Sequence, residues 1–439
     1  MTAGIDTAIY RRRRARLAAA MRAGVAIVPT APERSRNRDT HYPYRFDSYF
    51  YYLTGFCEPE AVLVIVAGAV PQHILFCRDR DPEREIWDGF RYGPEAACAA
   101  FGFDEAHSIS QLDALMPELI ADRGTLYCHL GAATAWDVRL TDWLNRVRAR
   151  ARSGVTAPGE VKDVHALLDE MRLIKDPEEL SVMRRAAAIS AGAHRRAMHA
   201  AAPGRAEYEI EAELLHEFRR QGAQAPAYSP IIAAGSRACV LHYVQNDGML
   251  NDGELLLIDA GCELDGYAAD LTRTFPVNGR YTGPQREIYD LVLAAQSAAI
   301  AAVKPGARWD APHRAAVETI AQGLIDLKLI PGGLAEAVET EAYRKFYMHR
   351  TGHWLGLDVH DAGDYKLEGE WRPLAPGMVL TVEPGCYIRG GEGVPERFAG
   401  IGVRIEDDVA VTEAGAEVLT HDAPKVPAEV EAWMRRRNG

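Results

Sequence analysis

The segment HRTGHWLGLDVHD, residues 349–361, sets three histidines and two aspartates among glycines and aliphatic side chains. An ordinary core strand excludes such groups, because burying an unpaired imidazole or carboxylate costs several kcal/mol. The composition of this segment therefore predicts the wall of a functional site.

Two local patterns compete within the segment. The spacing of His349 and His353 is the i, i+4 spacing of a helical zinc site, but Gly352 and Gly356 disfavour a helix. Aliphatic residues alternate with small or polar ones over 355–359, which favours a short strand. We therefore expect His353 to lie at the entrance of a strand.

The stretch LLLIDAGCELDGYAADLTRTF, residues 255–275, supplies two carboxylates that complement this segment. It predicts a β-hairpin with its turn at Asp265 and Gly266. Folding about that turn places Asp259 and Asp270 opposite one another to within about one residue of register. Facing like charges destabilise a hairpin, unless a bound cation reverses the sign of the interaction.

Two further strands carry acidic residues. MVLTVEPG, residues 378–385, predicts a strand that ends at Glu383, and GVRIEDDVAV, residues 402–411, places Arg404 and Glu406 on one face. Taken singly, an aspartate at a strand end is usually a turn residue and a glutamate on a strand usually faces water. Four carboxylates beside a histidine-rich segment instead indicate a site for a divalent cation such as Mn²⁺, which prefers oxygen ligands.

The whole-chain composition excludes several classes of protein. The 439 residues are 48% hydrophobic and 26% charged, which is typical of a globular protein. A net charge of −12 argues against a nucleic-acid or anionic-membrane partner. The basic run RRRRAR at 11–16 is interpreted as a solvated helix face, and the apolar run at 61–70 is shorter than the ~20 residues of a membrane span.

Cysteine usage and the N-terminal sequence bear on the compartment. The seven cysteines are scattered and none forms a CxxC pair, which is typical of reduced thiols. We find no convincing signal peptide near the N terminus. The expected location is the cytoplasm.

The chain length predicts two domains. Helix-like and strand-like runs alternate up to the Gly/Pro/Ser-rich break at 152–159, a helix is expected near 161–173, and Asp176 begins another helix as its N-cap. We expect a smaller α/β domain over 1–172 and an α+β catalytic domain over 173–439.

A resemblance to a known family rests on four of these blocks. HRTGHWLGLDVHD resembles the signature of proline-specific metallopeptidases, and IDAGCELDGYAADLTRTFPV, TVEPGCYI and GIGVRIEDDVAVT resemble the remaining blocks of that family. With HYPYRFDSYFYYLTGFCEPEAVLV at 41–64, the likeness to bacterial Xaa-Pro aminopeptidases (aminopeptidase P) covers nearly the whole chain. It implies a creatinase-like N-terminal domain followed by a pita-bread catalytic domain.

The resemblance also implies a ligand set and a cofactor. Its metal ligands match Asp259, Asp270, His353, Glu383 and Glu406. We expect two Mn²⁺ ions per subunit, with Zn²⁺ or Co²⁺ as substitutes, sharing a water whose hydroxide form attacks the scissile carbonyl. The expected products are an N-terminal residue and a peptide that begins with proline.

Further roles follow from the same resemblance. Glu383 is expected to manage the proton of the attacking water as well as to bind metal. His360 is a candidate donor to the oxyanion, and His242, in VLHYVQND, is expected to face the pocket. His349 and Arg404 are expected to support the ligands, although a plain structural salt bridge is equally open for Arg404.

Substrate contacts and assembly are the least defined expectations. Tyr387 and Trp87 are candidate walls for the proline ring, although Trp87 could also be a core residue and would reach a site only across a domain or subunit boundary. The eight aromatics of 41–56 are interpreted mainly as packed residues. The resemblance implies a homodimer or homotetramer that acts on proline-containing peptides.

Three alternatives stay open. Prolidase, an Xaa-Pro dipeptidase, shares the ligands but needs a cation to hold the free carboxylate of its substrate. Methionine aminopeptidase would not need the first domain. A non-catalytic pita-bread binding protein would lack one or more ligands. Departures from the family pattern are Arg350 beside His349, and Cys386 beside Tyr387; both change only the surroundings of the ligands.

Overall fold

The structure, a computed structural model, describes residues 7–436. The chain divides into two compact units, the first ending at Met171 and the second beginning at Arg172. Within 7–436, no helix combines the length and the apolar character that crossing a bilayer requires.

The first unit is built on one six-stranded mixed sheet with helices. Its strands are β1 (Gly24–Pro29), β2 (Val62–Ala67), β3 (Gln72–Cys77), β4 (Glu105–Ser108), β5 (Thr125–Cys128) and β6 (Glu160–Asp163), in the order β4-β3-β2-β1-β5-β6. Its helices are α1 (Thr7–Met21), α2 (Ser48–Thr54), α3 (Pro82–Asp88), α4 (Gly93–Phe101), α5 (Leu112–Ile120) and α6 (Thr134–Arg148), followed by α7 (His165–Leu173). Apolar residues of the sheet pack against α5 and α6 around the buried Trp143.

The predicted solvated basic face of α1 is wrong for two of its arginines. Arg13 and Arg14 are buried, at 4% and 0% exposure. The Arg14 guanidinium donates to the carbonyl oxygens of Leu53, Phe101 and Gly102, at 3.0, 2.9 and 2.7 Å. These carbonyls lie at the C-terminal ends of α2 and α4, where helices lack internal donors and favour a cation. The two arginines therefore tie α1 to its neighbours.

Two local predictions in the first unit have different outcomes. The helix expected near 161–173 forms only in its later part, as α7. The residues before α7 belong instead to β6, which pairs in parallel with β5. In the aromatic segment, Phe50, Tyr51, Tyr52 and Phe56 are buried, so the packed interpretation holds for its C-terminal half.

The second unit combines long helices with several short antiparallel sheets. Its helices are α8 (Pro177–Ala200), α9 (Glu207–Arg220), α10 (Gly283–Ala302), α11 (Ala311–Asp326), α12 (Leu334–Glu339) and α13 (Pro427–Arg435). Its strands are β7 (Ala225–Pro226), β8 (Ile231–Ala234), β9 (Leu255–Asp259), β10 (Cys262–Leu264), β11 (Tyr267–Ala268), β12 (Thr272–Pro276), β13 (Lys366–Leu367), β14 (Glu370–Trp371), β15 (Val379–Val382), β16 (Gly385–Ile388), β17 (Ile401–Arg404), β18 (Asp407–Thr412) and β19 (Gly415–Val418). The sheets are β8-β9-β12, β7-β10-β11, β15-β18-β19, β16-β17 and β13-β14.

Helix α8 begins as its sequence predicts. The Asp176 carboxylate accepts from the backbone N–H of Glu179, and the Glu179 carboxylate accepts from that of Asp176, at 3.0 Å each. This reciprocal capping box satisfies two backbone donors at the start of the helix.

The predicted hairpin over 255–275 forms, with a register that differs from the expectation. Asp265 and Gly266 have φ values of 49° and 83°, as the left-handed positions of a tight hairpin turn require. Asp259 pairs with Thr272, so Asp270 lies two residues away along the partner strand rather than within one. A two-residue offset keeps both aspartates on the same face, because side chains alternate with period two.

The strand expected over 402–411 is divided into two. β17 pairs with β16, and β18 pairs with β15. Glu406 lies in the gap between them, where its N–H donates to the Thr272 carbonyl at 3.1 Å. The break lets one short segment link the two sheets beside the hairpin.

The short strand expected over 355–359 is wrong. Beside it lies an isolated bridge between Trp354 and Leu380. The chain instead curls back, since the N–H of Asp361 donates to the Trp354 carbonyl at 3.0 Å and the N–H of Asp358 donates to the Asp361 carboxylate at 3.2 Å. Here the buried Asp361 carboxylate accepts a backbone N–H from within its own loop, in place of the predicted strand.

Candidate metal centre

The structure brings the five predicted ligands to one cavity of about 820 Å³ in the second unit. The lining includes Asp259, Asp270, His353, Glu383 and Glu406. Potential ligand atoms of Asp270, His353 and Glu406 lie within 4.8 Å of one another. Residues separated by up to 147 positions in the sequence therefore converge on one point.

His353 is held in the tautomer that a metal ligand needs. Its Nδ1 lies 2.9 Å from the Trp354 carbonyl, which can only accept, so Nδ1 carries the proton. Its Nε2 lies 3.4 Å from Asp270 and 3.6 Å from Glu383. Histidines that bind metals commonly fix the second ring nitrogen in this way.

Tyr228 connects the two hairpin aspartates. Its hydroxyl lies 2.6 Å from Asp259 Oδ1 and 2.6 Å from Asp270 Oδ1. The sequence analysis missed this residue, because a single tyrosine near Pro226 and Pro230 carries no periodic or motif signal.

The electrostatics of the cluster favour the binding of cations. Burial is the main cause that raises the pKa of Glu383 to about 7, and it also raises the pKa values of Asp259 and Glu406. Burial is the largest single influence on Asp270 and raises its pKa, but the hydrogen bonds from His353 and Tyr228 and the charges of His353 and Arg404 together outweigh burial and lower that pKa. Divalent cations would relieve this clustering of buried carboxylates, and four carboxylates with one imidazole suit a cation that prefers oxygen.

Arg404, Tyr387 and His349 form a chain behind the ligands. Arg404 donates to Asp259 Oδ2 at 2.6 Å and to the Tyr387 hydroxyl oxygen at 2.9 Å. His349 Nδ1 donates to the Arg350 carbonyl at 2.7 Å, so its Nε2 accepts from the Tyr387 hydroxyl at 2.9 Å. Burial lowers the pKa of His349 to about 3, which keeps the ring neutral.

The other predicted site residues lie in three different settings. His360 and His242 are exposed and line the cavity, and the His360 ring meets the His353 ring edge to face at 4.3 Å. Tyr387 is fully buried and is not among the lining residues. Trp87 lies on α3 of the first unit and is 82% exposed, so it is not a core residue.

Sequence analysis also missed two residues around the ligands. The Thr272 hydroxyl donates to Glu406 at 2.6 Å. His313 on α11 lines the cavity and contacts the Thr351 hydroxyl at 2.8 Å. Thr272 lies in the quoted block that carries Asp259 and Asp270, but its contact with Glu406 arises only in the fold, and His313 lies outside the quoted blocks.

A buried ion cluster holds the loop that carries His360. Asp361 lies between Arg172 and Lys175, with contacts of 2.5 and 2.9 Å, and all three side chains are 1% exposed. Arg172 also contacts Asp358 at 2.7 Å. The cations on both sides outweigh burial and hold the pKa of Asp361 below its usual value.

We expect Asp361→Asn to destabilise the protein by about 3–5 kcal/mol at pH 7, because the buried Lys175 would lose its carboxylate and the buried Arg172 would keep only that of Asp358. Asp364→Asn, an exposed control four residues away from His360, should change stability by less than about 0.5 kcal/mol. Since the folded pKa of Asp361 is lowered, its contribution is complete above pH ~4 and is lost as the pH falls further. Denaturation midpoints from pH 3 to 7 measure both effects, and equal midpoints for the two variants at pH 7 would contradict them.

Comparison with known proteins places this geometry in a family. Residues 181–413 match the model of metallopeptidase family M24, and residues 10–127 match that of the aminopeptidase P N-terminal domain. The chain is 44% identical to Escherichia coli Xaa-Pro aminopeptidase over 97% of both proteins. It is 36% identical to human Xaa-Pro aminopeptidase 3, over 92% of this chain and 80% of that protein.

Solved structures agree with these relatives. Pseudomonas aeruginosa aminopeptidase PepP superposes with a TM-score of 0.97 at 51% identity, covering 99% of each chain. A variant of E. coli aminopeptidase P in complex with substrate gives a TM-score of 0.97 at 43% identity, covering 99% of this chain and 100% of that one. The expected fold class, an N-terminal aminopeptidase P domain followed by a pita-bread domain, is confirmed. The chain therefore belongs to metallopeptidase family M24.

Proposed function

We propose that the protein is a metal-dependent Xaa-Pro aminopeptidase, which removes the N-terminal residue from peptides with proline in the second position. The observation that carries this proposal is the convergence of four carboxylates and His353 on one cavity, in a chain that resembles such enzymes along its length. Divalent cations held by this cluster would supply a nucleophilic water near neutral pH and polarise the scissile carbonyl.

Glu383 is proposed as the proton carrier. Its carboxylate faces the cavity and its pKa, raised mainly by burial to about 7, lies near the operating pH of a general base. It takes a proton from the attacking water and returns one to the proline nitrogen, which must leave as a secondary amine. The bond that breaks joins the substrate carbonyl carbon to that nitrogen.

The histidines and Arg404 are proposed to act on either side of Glu383. His360, exposed in the cavity beside His353, donates to the oxygen of the developing tetrahedral centre. His242 faces the substrate from another wall. Arg404 positions Asp259, and through Tyr387 it orients His349.

The identity and number of the metal ions are also proposals. We propose two Mn²⁺ ions per subunit, supported by the oxygen-rich ligand set. Zn²⁺ or Co²⁺ would serve as substitutes, and a Zn-substituted E. coli aminopeptidase P in complex with product is among the similar solved structures.

Assembly and location complete the proposal. Trp87 belongs to the first unit and is exposed, which supports a role in a substrate wall of a homodimer or homotetramer.

All seven cysteines are free, which supports a cytoplasmic location. We propose a domain boundary at residues 172/173.

Substrate length distinguishes an aminopeptidase from a prolidase. We expect Ala-Pro-Ala to be cleaved with a kcat/KM at least equal to that of Ala-Pro, because residues beyond proline add binding energy that the transition state can use. The measurement is the ratio of the two values at equal metal loading. A strong preference for Ala-Pro would refute the aminopeptidase and favour prolidase, with the metal site unchanged.

A further inference from the structure

The cavity of the second unit changes character between its buried floor and its exposed rim. Asp270 and Glu406, which lie at the floor, are 5% and 2% exposed. Three half-buried aromatic residues line the same cavity, namely Trp309, Tyr365 and Trp371. The Trp309 and Tyr365 rings are in contact, with centroids 4.7 Å apart.

Two cations stand over the ring of Trp371. The Arg350 guanidinium carbon lies 5.9 Å from the ring centroid, and the Lys366 ammonium lies 4.6 Å from it. Across residues 7–436, neither cation has a carboxylate within ion-pair distance. Arg344, a nearby exposed arginine, is by contrast paired with Glu341 at 2.7 Å.

We propose that Arg350, with Lys366 beside it, binds the C-terminal carboxylate of a short Xaa-Pro peptide. This inference rests on the proposed aminopeptidase function and adds a substrate class to it: free-acid peptides of three or four residues. Arg350 is the specificity-determining residue, and the aromatic residues below it receive the side chains that follow proline.

The charge distribution of the cavity supports this assignment. A short peptide at neutral pH carries an ammonium at one end and a carboxylate at the other. The carboxylate oxygens at the floor can accept hydrogen bonds from the N-terminal amine, and the cations at the rim match the charge of the C-terminal carboxylate. An arginine placed over an aromatic ring keeps its planar donors free for a carboxylate, which it can bind through two hydrogen bonds.

The location of Arg350 also separates it from the ligands. Its neighbour His349 turns inward to Tyr387, whereas the Arg350 side chain is exposed. Loss of its charge should therefore change substrate choice without removing metal. Because the cation is exposed, the expected effect is modest and sensitive to salt.

The test compares acids with amides. kcat/KM is measured for Ala-Pro-Ala and Ala-Pro-Ala-Ala, each as the free acid and as the C-terminal amide, with Mn²⁺-loaded protein. We expect the native protein to prefer the acid at one or both lengths by about three- to tenfold, and Arg350→Ala to lower that ratio to about one. The Lys366→Ala variant should lower it by a smaller factor, and added salt should weaken the native preference.

Arg344→Ala is the matched control, since Arg344 is an exposed arginine that does not line the cavity. It should keep the native ratio. Equal ratios in the native protein and Arg350→Ala at both lengths would overturn the proposal. Failure of the native protein to cleave any of these peptides would instead refute the proposed function, so the two failures are distinguishable.

Discussion

Glu383→Gln is expected to lower kcat by ~10²-fold or more while the fold is retained. The Glu383 carboxylate lies 3.6 Å from His353 Nε2, and its side chain is 18% exposed, so it reaches both the ligand cluster and the cavity. Glutamine has the same shape but cannot accept a proton from water. The substitution therefore removes the proposed proton carrier and one anionic ligand.

Two measurements make this prediction decisive. The metal content and the kcat of Glu383→Gln should be compared with those of Glu392→Gln, a control at an exposed glutamate nine residues away. The control should keep native kcat. A Glu383→Gln protein with full metal content and near-native kcat would exclude the proposed role of Glu383.

Removal of metal should abolish peptidase activity, and added Mn²⁺ should restore it. The physical reason is that no residue of the cavity replaces the activated water and the carbonyl polarisation that divalent cations supply. The measurement is hydrolysis of Ala-Pro-Ala before chelation, after chelation, and after Mn²⁺ is returned.

Thermal stability gives this prediction a second readout. Binding to the folded state alone raises Tm as the ion concentration rises above its Kd. Mn²⁺ should therefore raise the Tm of the stripped native protein, and it should raise that of Asp270→Asn much less. Stripped protein that cleaved Ala-Pro-Ala at the full rate would show that the cluster is not the catalytic metal site.

Local sequence rules predicted those parts of the site that depend on strand geometry. Asp265 and Gly266 specify a turn by their backbone preferences, and that turn sets the face on which Asp259 and Asp270 lie. The two aspartates are offset by two residues, rather than by the one or fewer that we expected. Because two is an even number and side chains alternate along a strand, both aspartates still lie on one face. Pattern and turn chemistry therefore sufficed for Asp259, Asp270 and Glu383, whereas Glu406 lies between two strands rather than within one.

The predictions that were wrong or missing concern buried contacts between residues that are far apart in sequence. The alternating pattern over 355–359 predicts a strand, but this segment forms a loop. Asp361 holds that loop through its buried ion pairs with Arg172 and Lys175. The local sequence predicts a solvated Arg14, because the ends of α2 and α4, to which its guanidinium donates, lie far away in sequence. Tyr228 likewise reaches both aspartates only after the hairpin and β8 are in place. Such contacts join residues far apart in sequence, so no local window contains them.

The spread of the ligands along the chain, from Asp259 to Glu406, also bears on protein synthesis. A nascent chain that has grown only to residue 400 lacks Glu406, together with β18, and so cannot complete the ligand set. Domains generally fold as they are made, from the N terminus onward. The proposed metal centre is therefore among the last features to form, and a chain that ends before Glu406 lacks one of its five proposed ligands.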